Sequence, residues 1–164
     1  MRVLGIDPGL YISGYGILEE ESGEVRVIEA GILKTNEKLS LAKRLVELGT
    51  ELGSVIRQFN PDVMAIEELY SHYDHPKTAI IMGHARGVIF YKASEAGIEV
   101  VPYASTRVKK ALTGNGRASK EQMQRAIQIQ MTLKTFPEPP DVADALAVAY
   151  CHFHAVSRNE VLAV

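Results

Sequence analysis

Carboxylates stand in this chain where they contribute nothing to packing. Asp7 ends the apolar run VLGID, Glu67 and Glu68 lie near the end of VMAIEEL, and Asp141 and Asp144 begin DVADALAVAY. Charged side chains are rarely buried without a partner, and strands disfavour Glu. Asp7 before Pro8-Gly9 also suits a turn, and Asp141 at a helix start also suits an N-cap. Each of those readings explains one residue and none explains the set. The i, i+3 spacing puts Asp141 and Asp144 on one helical face. Two carboxylates ~4 Å apart repel by ~4 kcal/mol at an effective dielectric of 20, so converging acids either protonate or bind a cation. Oxygen-only donors suit hard Mg²⁺ or Mn²⁺ rather than zinc. A pair of such ions is a standard device for in-line displacement at phosphorus.

The elements that must position these acids are readable in outline. Arg2 to Asp7 predicts a buried strand, stopped by Pro8-Gly9. Residues 11–18 and 24–34 predict two more strands around a Ser22-Gly23 turn, which makes an antiparallel meander. Leu41, Leu45, Leu48, Leu52, Val55 and Ile56 share one face of a helix over about 39–59, ended by Asn60-Pro61 and weakened by Gly49 and Gly53. A strand follows over 62–69, then a long apolar helix over 76–96 and a strand over 98–101. A short basic helix spans 105–112. Ser119, with Gln122 three residues on, predicts a capping box and a helix to about 133. The final helix opens at Asp141. The order β-β-β-α-β-α-β-α-α-α predicts an α/β fold with a five-stranded mixed sheet and helices on both faces.

The chain has 164 residues, 46% hydrophobic and 23% charged, which suits one soluble domain and excludes disorder, collagen and coiled coil. We expect one domain over 1–157 and a short tail over 158–164. The opening MRVLGID is not expected to be a signal peptide, and the sequence holds no 18-residue apolar run. A lone cysteine, Cys151, fits a reducing compartment, so a cytoplasmic location is expected. The net charge is −2, with a pI near 6.2. Between His72 and Arg125, however, nine Lys or Arg face four acids, leaving +5, while the remainder carries nine against sixteen, leaving −7. A basic segment on an acidic chain is a candidate polyanion-binding face.

Four motifs carry a resemblance: GIDPGLYISGYGIL at the start, MAIEELY in the middle, GHARGV at Gly83 to Val88, and DVADALAVAYCH near the end. In this order and spacing they resemble the RuvC-type Holliday junction resolvases, a branch of the RNase H-like nuclease superfamily, over residues 2 to about 155. The resemblance implies Asp7, Glu67, Asp141 and Asp144 as ligands of Mg²⁺ (two ions per site, with Mn²⁺ as substitute), and it selects Glu67 over Glu68. It implies Lys109 and Lys120 as lysines placed to meet phosphate or the transition state, with Lys120 in a catalytic role. Tyr70 stands where relatives carry an aromatic near the junction centre. Arg107, Lys110 and Arg117 are further DNA-contact candidates. The implied activity is paired symmetric nicking of four-way junction DNA by a homodimer, working with a branch-migration helicase complex of the RuvAB type and no membrane. The chain departs from many relatives in being acidic overall and in lacking a basic tail.

The apolar girth of the 76–96 helix predicts that it packs on the sheet on one side and on a second subunit on the other, with Ile81 and Ile89 outward and Gly83 and Gly87 allowing close helix approach. Cys151, His152 and His154 lack a second ligand pair for a tetrahedral zinc site. Three rivals share features with this reading. Actin-like ATPases have a similar DPG turn but need two such domains. A YqgF-type RNA-processing nuclease shares the fold and part of the acid set. A non-catalytic nucleic-acid-binding module would have no use for clustered acids, which repel DNA unless a metal is bound.

Overall fold

The computed structural model describes residues 1–9, 11–69 and 76–157. Five strands form one sheet in the order β3-β2-β1-β4-β5. β1 (Arg2–Asp7), β2 (Ile12–Glu21) and β3 (Glu24–Lys34) make the antiparallel meander. β4 (Val63–Glu67) and β5 (Glu99–Tyr103) add in parallel beside β1. The element order and the mixed five-stranded sheet agree with the sequence expectation.

Helices cover both faces. α1 (Leu41–Phe59) and α2 (Pro76–Glu95) enclose one core with Leu4, Ile6, Ile17, Met64 and Ile66. α3 (Ser105–Thr113), α4 (Lys120–Gln130) and α5 (Pro140–Ser157) enclose the other with Val3, Leu18, Val63 and Ala65. Alternate residues of β1 and β4 therefore go to opposite cores, as expected for parallel strands buried on both sides. Asn60 ends α1 in the left-handed conformation, φ 44°, before Pro61. The Ser119–Gln122 capping box starts α4.

Two sets of glycines set the helix distances. A Cβ on Gly5 would stand 2.0 Å from the Ala145 carbonyl oxygen, and one on Gly14 would stand 1.9 Å from that of Asp141. Gly5 pairs with Gly16 across β1 and β2, and Gly14 pairs with Asp7. The start of α5 thus lies on a glycine floor, closer to the sheet than any side chain allows. On the other face, Gly49 and Gly53 of α1 admit Val88 and Lys92 of α2. Those two glycines, which cost helix propensity, serve helix packing.

Gly83 and Gly87 serve no such packing within the subunit: among the described residues, nothing lies within 4 Å of a Cβ built on either. Ile89 is fully buried and Ile81 faces Leu45 and Leu48, so neither points outward. The most exposed large apolar side chains described on α2 are Ile80 and Tyr91, 61% and 62% exposed, with Phe90 less so.

Candidate active site

Asp7 and Glu67 end neighbouring parallel strands, and Ile6 pairs with Ile66 one step before them. Parallel register gives equal positions the same face. Val3 and Val63, each two repeats of the pleat earlier, face α5, and so do Asp7 and Glu67. Glu68 has the opposite parity and is exposed; its amide donates to the Tyr103 carbonyl.

α5 brings the other two acids. Pro140 occupies its first position, where a missing N–H costs nothing. Asp141 therefore lies one residue inside the helix and is not its cap. The glycine floor draws this first turn down onto the end of β1. Asp144 follows on the same face, its side chain 19% exposed.

Asp7, Glu67 and Asp144 line one pocket of about 190 Å³ with Lys109 of α3 and Lys120 of α4. Asp141 stands outside that lining, but its charge is felt within it. Burial pushes the Asp7 carboxyl up to about 8, helped by Asp144, Glu67 and Asp141 and opposed by Lys120. Burial also raises Asp144, partly offset by Lys120 and Lys109, while Glu67 and Asp141 add to the rise. Lys120 Nζ lies 3.8 Å from Asp144 Oδ2 and is 75% exposed, so this ion pair contributes little stability. Among the described residues, no three His, Cys, Asp or Glu side chains are already drawn into a closed metal-ligating group. The donor set nonetheless fits a hard divalent cation. It offers only oxygens, and a bound cation would offset both the burial and the neighbouring acids that raise Asp7.

The remaining candidates divide. Arg107 and Lys110 sit on another face of α3 and line a different pocket. Arg117 lies exposed in the loop before α4, its amide bonded to Asn115. Tyr70 lies outside the described residues. Within the basic segment, Arg86 donates to the main-chain carbonyl of Glu67, and Lys92 and Arg125 pair with the carboxylates of Glu95 and Glu121. His152 is buried and its Nδ1 is hydrogen-bonded to the Tyr103 hydroxyl at 2.9 Å.

Sequence reasoning missed two features. Arg86 of GHARGV donates through Nη1 to the Glu67 carbonyl oxygen, 2.5 Å away, and stacks on Phe90. It ties α2 to the strand end that carries Glu67. A lone Arg on a helix apolar around its girth was the available signal. Gly5, Gly14 and Gly16, on adjacent strands and opposite an Ala-rich helix, were the signal for the close approach.

The family profile described as crossover junction endodeoxyribonuclease RuvC matches residues 3–152. The chain belongs to the RuvC family. A crossover junction endodeoxyribonuclease RuvC of Rhodopirellula baltica is 47% identical over 97% of this chain and 89% of its own length. That of Caldicellulosiruptor saccharolyticus is 47% identical over 99% and 96%. The structure of Thermus thermophilus RuvC in complex with a Holliday junction substrate matches with a TM-score of 0.88 at 28% identity, covering 98% of both chains. The RNase H-like RuvC fold expected from the motifs is therefore the fold of this chain. Membership also decides between the same-fold rivals, because the profile and the relatives are RuvC and not RNA-processing nucleases.

Proposed function

We propose that the chain is a structure-selective, divalent-metal-dependent endonuclease that resolves Holliday junctions by paired symmetric nicks. The observation that carries this is the meeting of Asp7, Glu67 and Asp144 with Lys109 and Lys120 in one pocket at the ends of β1 and β4. The family names of the relatives supply the substrate: four-way junction DNA. Asp7, Glu67 and Asp144 would hold Mg²⁺, with Mn²⁺ as substitute. Asp141 would complete the set, as a ligand or through its field on Asp7 and Asp144. Two bound ions would activate the attacking water and stabilise the leaving 3′-oxygen. Lys120, from the rim, would neutralise charge gathering on the scissile phosphate, and Lys109 would hold that phosphate in place. Arg107, Lys110 and Arg117 would meet other phosphates, and Tyr70 would stack on a base at the junction centre.

Two symmetric cuts call for a twofold dimer. The exposed α2 surface of Ile80, Gly83, Gly87 and Tyr91, with Leu45 of α1 beneath it, suits that role. A domain over 1–157, a tail over 158–164, action in the cytoplasm and coupling to a RuvAB-type helicase belong to the same reading. A single buried cysteine, Cys151, suits a reducing compartment, and no helix among the described residues is long and apolar enough to cross a membrane.

The test is nicking of a synthetic four-way junction over a Mg²⁺ series, with Asp7→Asn and Asp144→Asn as controls. Wild type should cut two opposed strands only with divalent metal, and both variants should lose at least 10³-fold in rate while still binding the junction. Metal-independent cutting, or cutting of linear duplex alone, defeats the proposal. Ile80→Glu should give folded monomers by sedimentation that make unpaired nicks.

A further inference from the structure

The helix that carries Asp141 and Asp144 rests on the sheet at two unlike places. Over β1 and β2 its first turn lies on Gly5 and Gly14. Over β5 it meets Tyr103, the largest fully buried side chain among the described residues. The Tyr103 hydroxyl and His152 Nδ1 of α5 are hydrogen-bonded at 2.9 Å, and the two rings meet edge to face with centroids 6.0 Å apart. Both residues are buried, 2% and 4% exposed. A buried hydroxyl and a buried imidazole would each be costly without a partner, so the bond holds its two elements in one arrangement.

Tyr103 also belongs to the strand end that carries Glu67. It is the register partner of Glu67 across β4 and β5, and its carbonyl oxygen accepts from the Glu68 amide at 2.9 Å. Parallel register puts Tyr103 and Glu67 on the same face of the sheet. The main chain of this residue fixes the end of β4, and its side chain fixes α5. Asp144 lies about two turns, roughly 12 Å, before His152 along that helix. Glu67 and Asp144 line one pocket from these two elements, so their separation follows from how α5 sits over β4 and β5.

The two supports act differently. The glycine floor lets the helix come close at one end. The Tyr103 ring is a spacer and its hydroxyl a tie, which together oppose both approach and withdrawal at the other.

We propose that Tyr103 and His152 are positioning residues for cleavage: their bond sets how α5 sits over the ends of β4 and β5, and so holds Asp144 against Glu67 for a shared divalent cation. The role rests on the reading of the chain as a metal-dependent endonuclease. Neither residue lines the acidic pocket, and both act through the two acids.

The experiment uses the full chain. Tyr103→Phe removes the hydroxyl and keeps the ring with its contact to Arg107. His152→Leu removes Nδ1, and His152→Asn returns a polar group near its place. Mn²⁺ alone is titrated against each protein without DNA and followed by the EPR signal of the free ion. Junction affinity is measured in Ca²⁺, and kcat and KM in Mg²⁺. Tyr103→Phe should bind Mn²⁺ about tenfold more weakly and lose about tenfold in kcat, with KM and junction affinity within about twofold of wild type. His152→Leu should match it, and His152→Asn should recover most of the loss. Tyr103→Phe/His152→Leu should lose no more than the worse single variant, because each removes the same bond. Leu52→Ala, which loosens the opposite core, should keep wild-type Mn²⁺ affinity and kcat in spite of its lower melting temperature. Unchanged Mn²⁺ affinity and kcat in Tyr103→Phe, additive losses in the double variant, or an equal loss in Leu52→Ala overturns the proposal. Tyr103→Phe decides the matter alone if His152→Leu does not fold. A wild type that neither takes up Mn²⁺ nor cuts the junction overturns the endonuclease reading itself. A wild type that does both, beside an unaltered Tyr103→Phe, overturns the positioning role only.

Discussion

On one face of the sheet, α5 lies so low that the Ala145 and Asp141 carbonyl oxygens occupy the places where Cβ atoms of Gly5 and Gly14 would stand. On the other face, α1 and α2 rest at ordinary distance on Leu4, Ile6, Met64 and Ile66. Both faces bury a continuous apolar core, yet only the first gathers acids. The difference shows what builds the site. Large side chains hold a helix away from a sheet, and glycine and alanine let its first turn reach the strand ends. Asp141 and Asp144 come to Asp7 because β1 and β2 are cut away beneath them.

Breaking each face in turn should separate stability from function. Gly14→Ala on the α5 face and Leu52→Ala on the α1 face should both destabilise by roughly 2–5 kcal/mol in denaturant unfolding. Only Gly14→Ala should also lower the cleavage rate of the folded protein, by at least 10²-fold, because the helix start must lift off Asp7. Equal rate losses in the two variants would erase the distinction between the faces.

The next effect concerns charge on the α5 face. The Asp7 carboxyl titrates at about 8 in the fold against an ordinary value of 3.8. Between these values the folded protein keeps a proton that the unfolded chain has lost. Metal-free stability therefore falls as pH rises from about 4 to about 8. The loss from pH 5 to pH 8 should be roughly 2–4 kcal/mol. Asp7→Asn should flatten this dependence, and Mg²⁺ should restore stability to wild type at pH 8 but much less to the variant. Thermal melts over pH, with and without metal, read all of these effects. Metal-free stability that rises over this range would have the wrong sign.

Much of this was legible in the sequence. The order of ten elements, the α1 apolar stripe and the Ser119–Gln122 box follow from periodicity and capping. Glu67 against Glu68 was not legible from the residues, because β4 is buried on both faces and alternation carries no sign. The outward positions of α2 were misread for a similar reason. A helix apolar around its girth does not reveal that Ile89 is inside and Ile80 outside. Asp141 reads as the opening residue of the last helix from its capping preference, but Pro140 takes the first helical position, where its missing N–H costs nothing.

The smallest effect comes from the α2 face, which is tied to the site through Arg86. Its bond to the Glu67 carbonyl makes it a positioning residue. Arg86→Ala should lower kcat about tenfold with little change in junction affinity, and Arg86→Lys should recover part of it. A change confined to affinity would place Arg86 on the DNA instead.

The most direct test of the account uses the two adjacent glutamates. Their side chains leave β4 on opposite faces, and only that of Glu67 faces Asp7 and α5. Single-turnover cleavage of a four-way junction in saturating Mg²⁺ should fall at least 10³-fold in Glu67→Gln and stay within about threefold of wild type in Glu68→Gln. An active Glu67→Gln beside an inactive Glu68→Gln would contradict the parity of β4 and with it the site built on the α5 face.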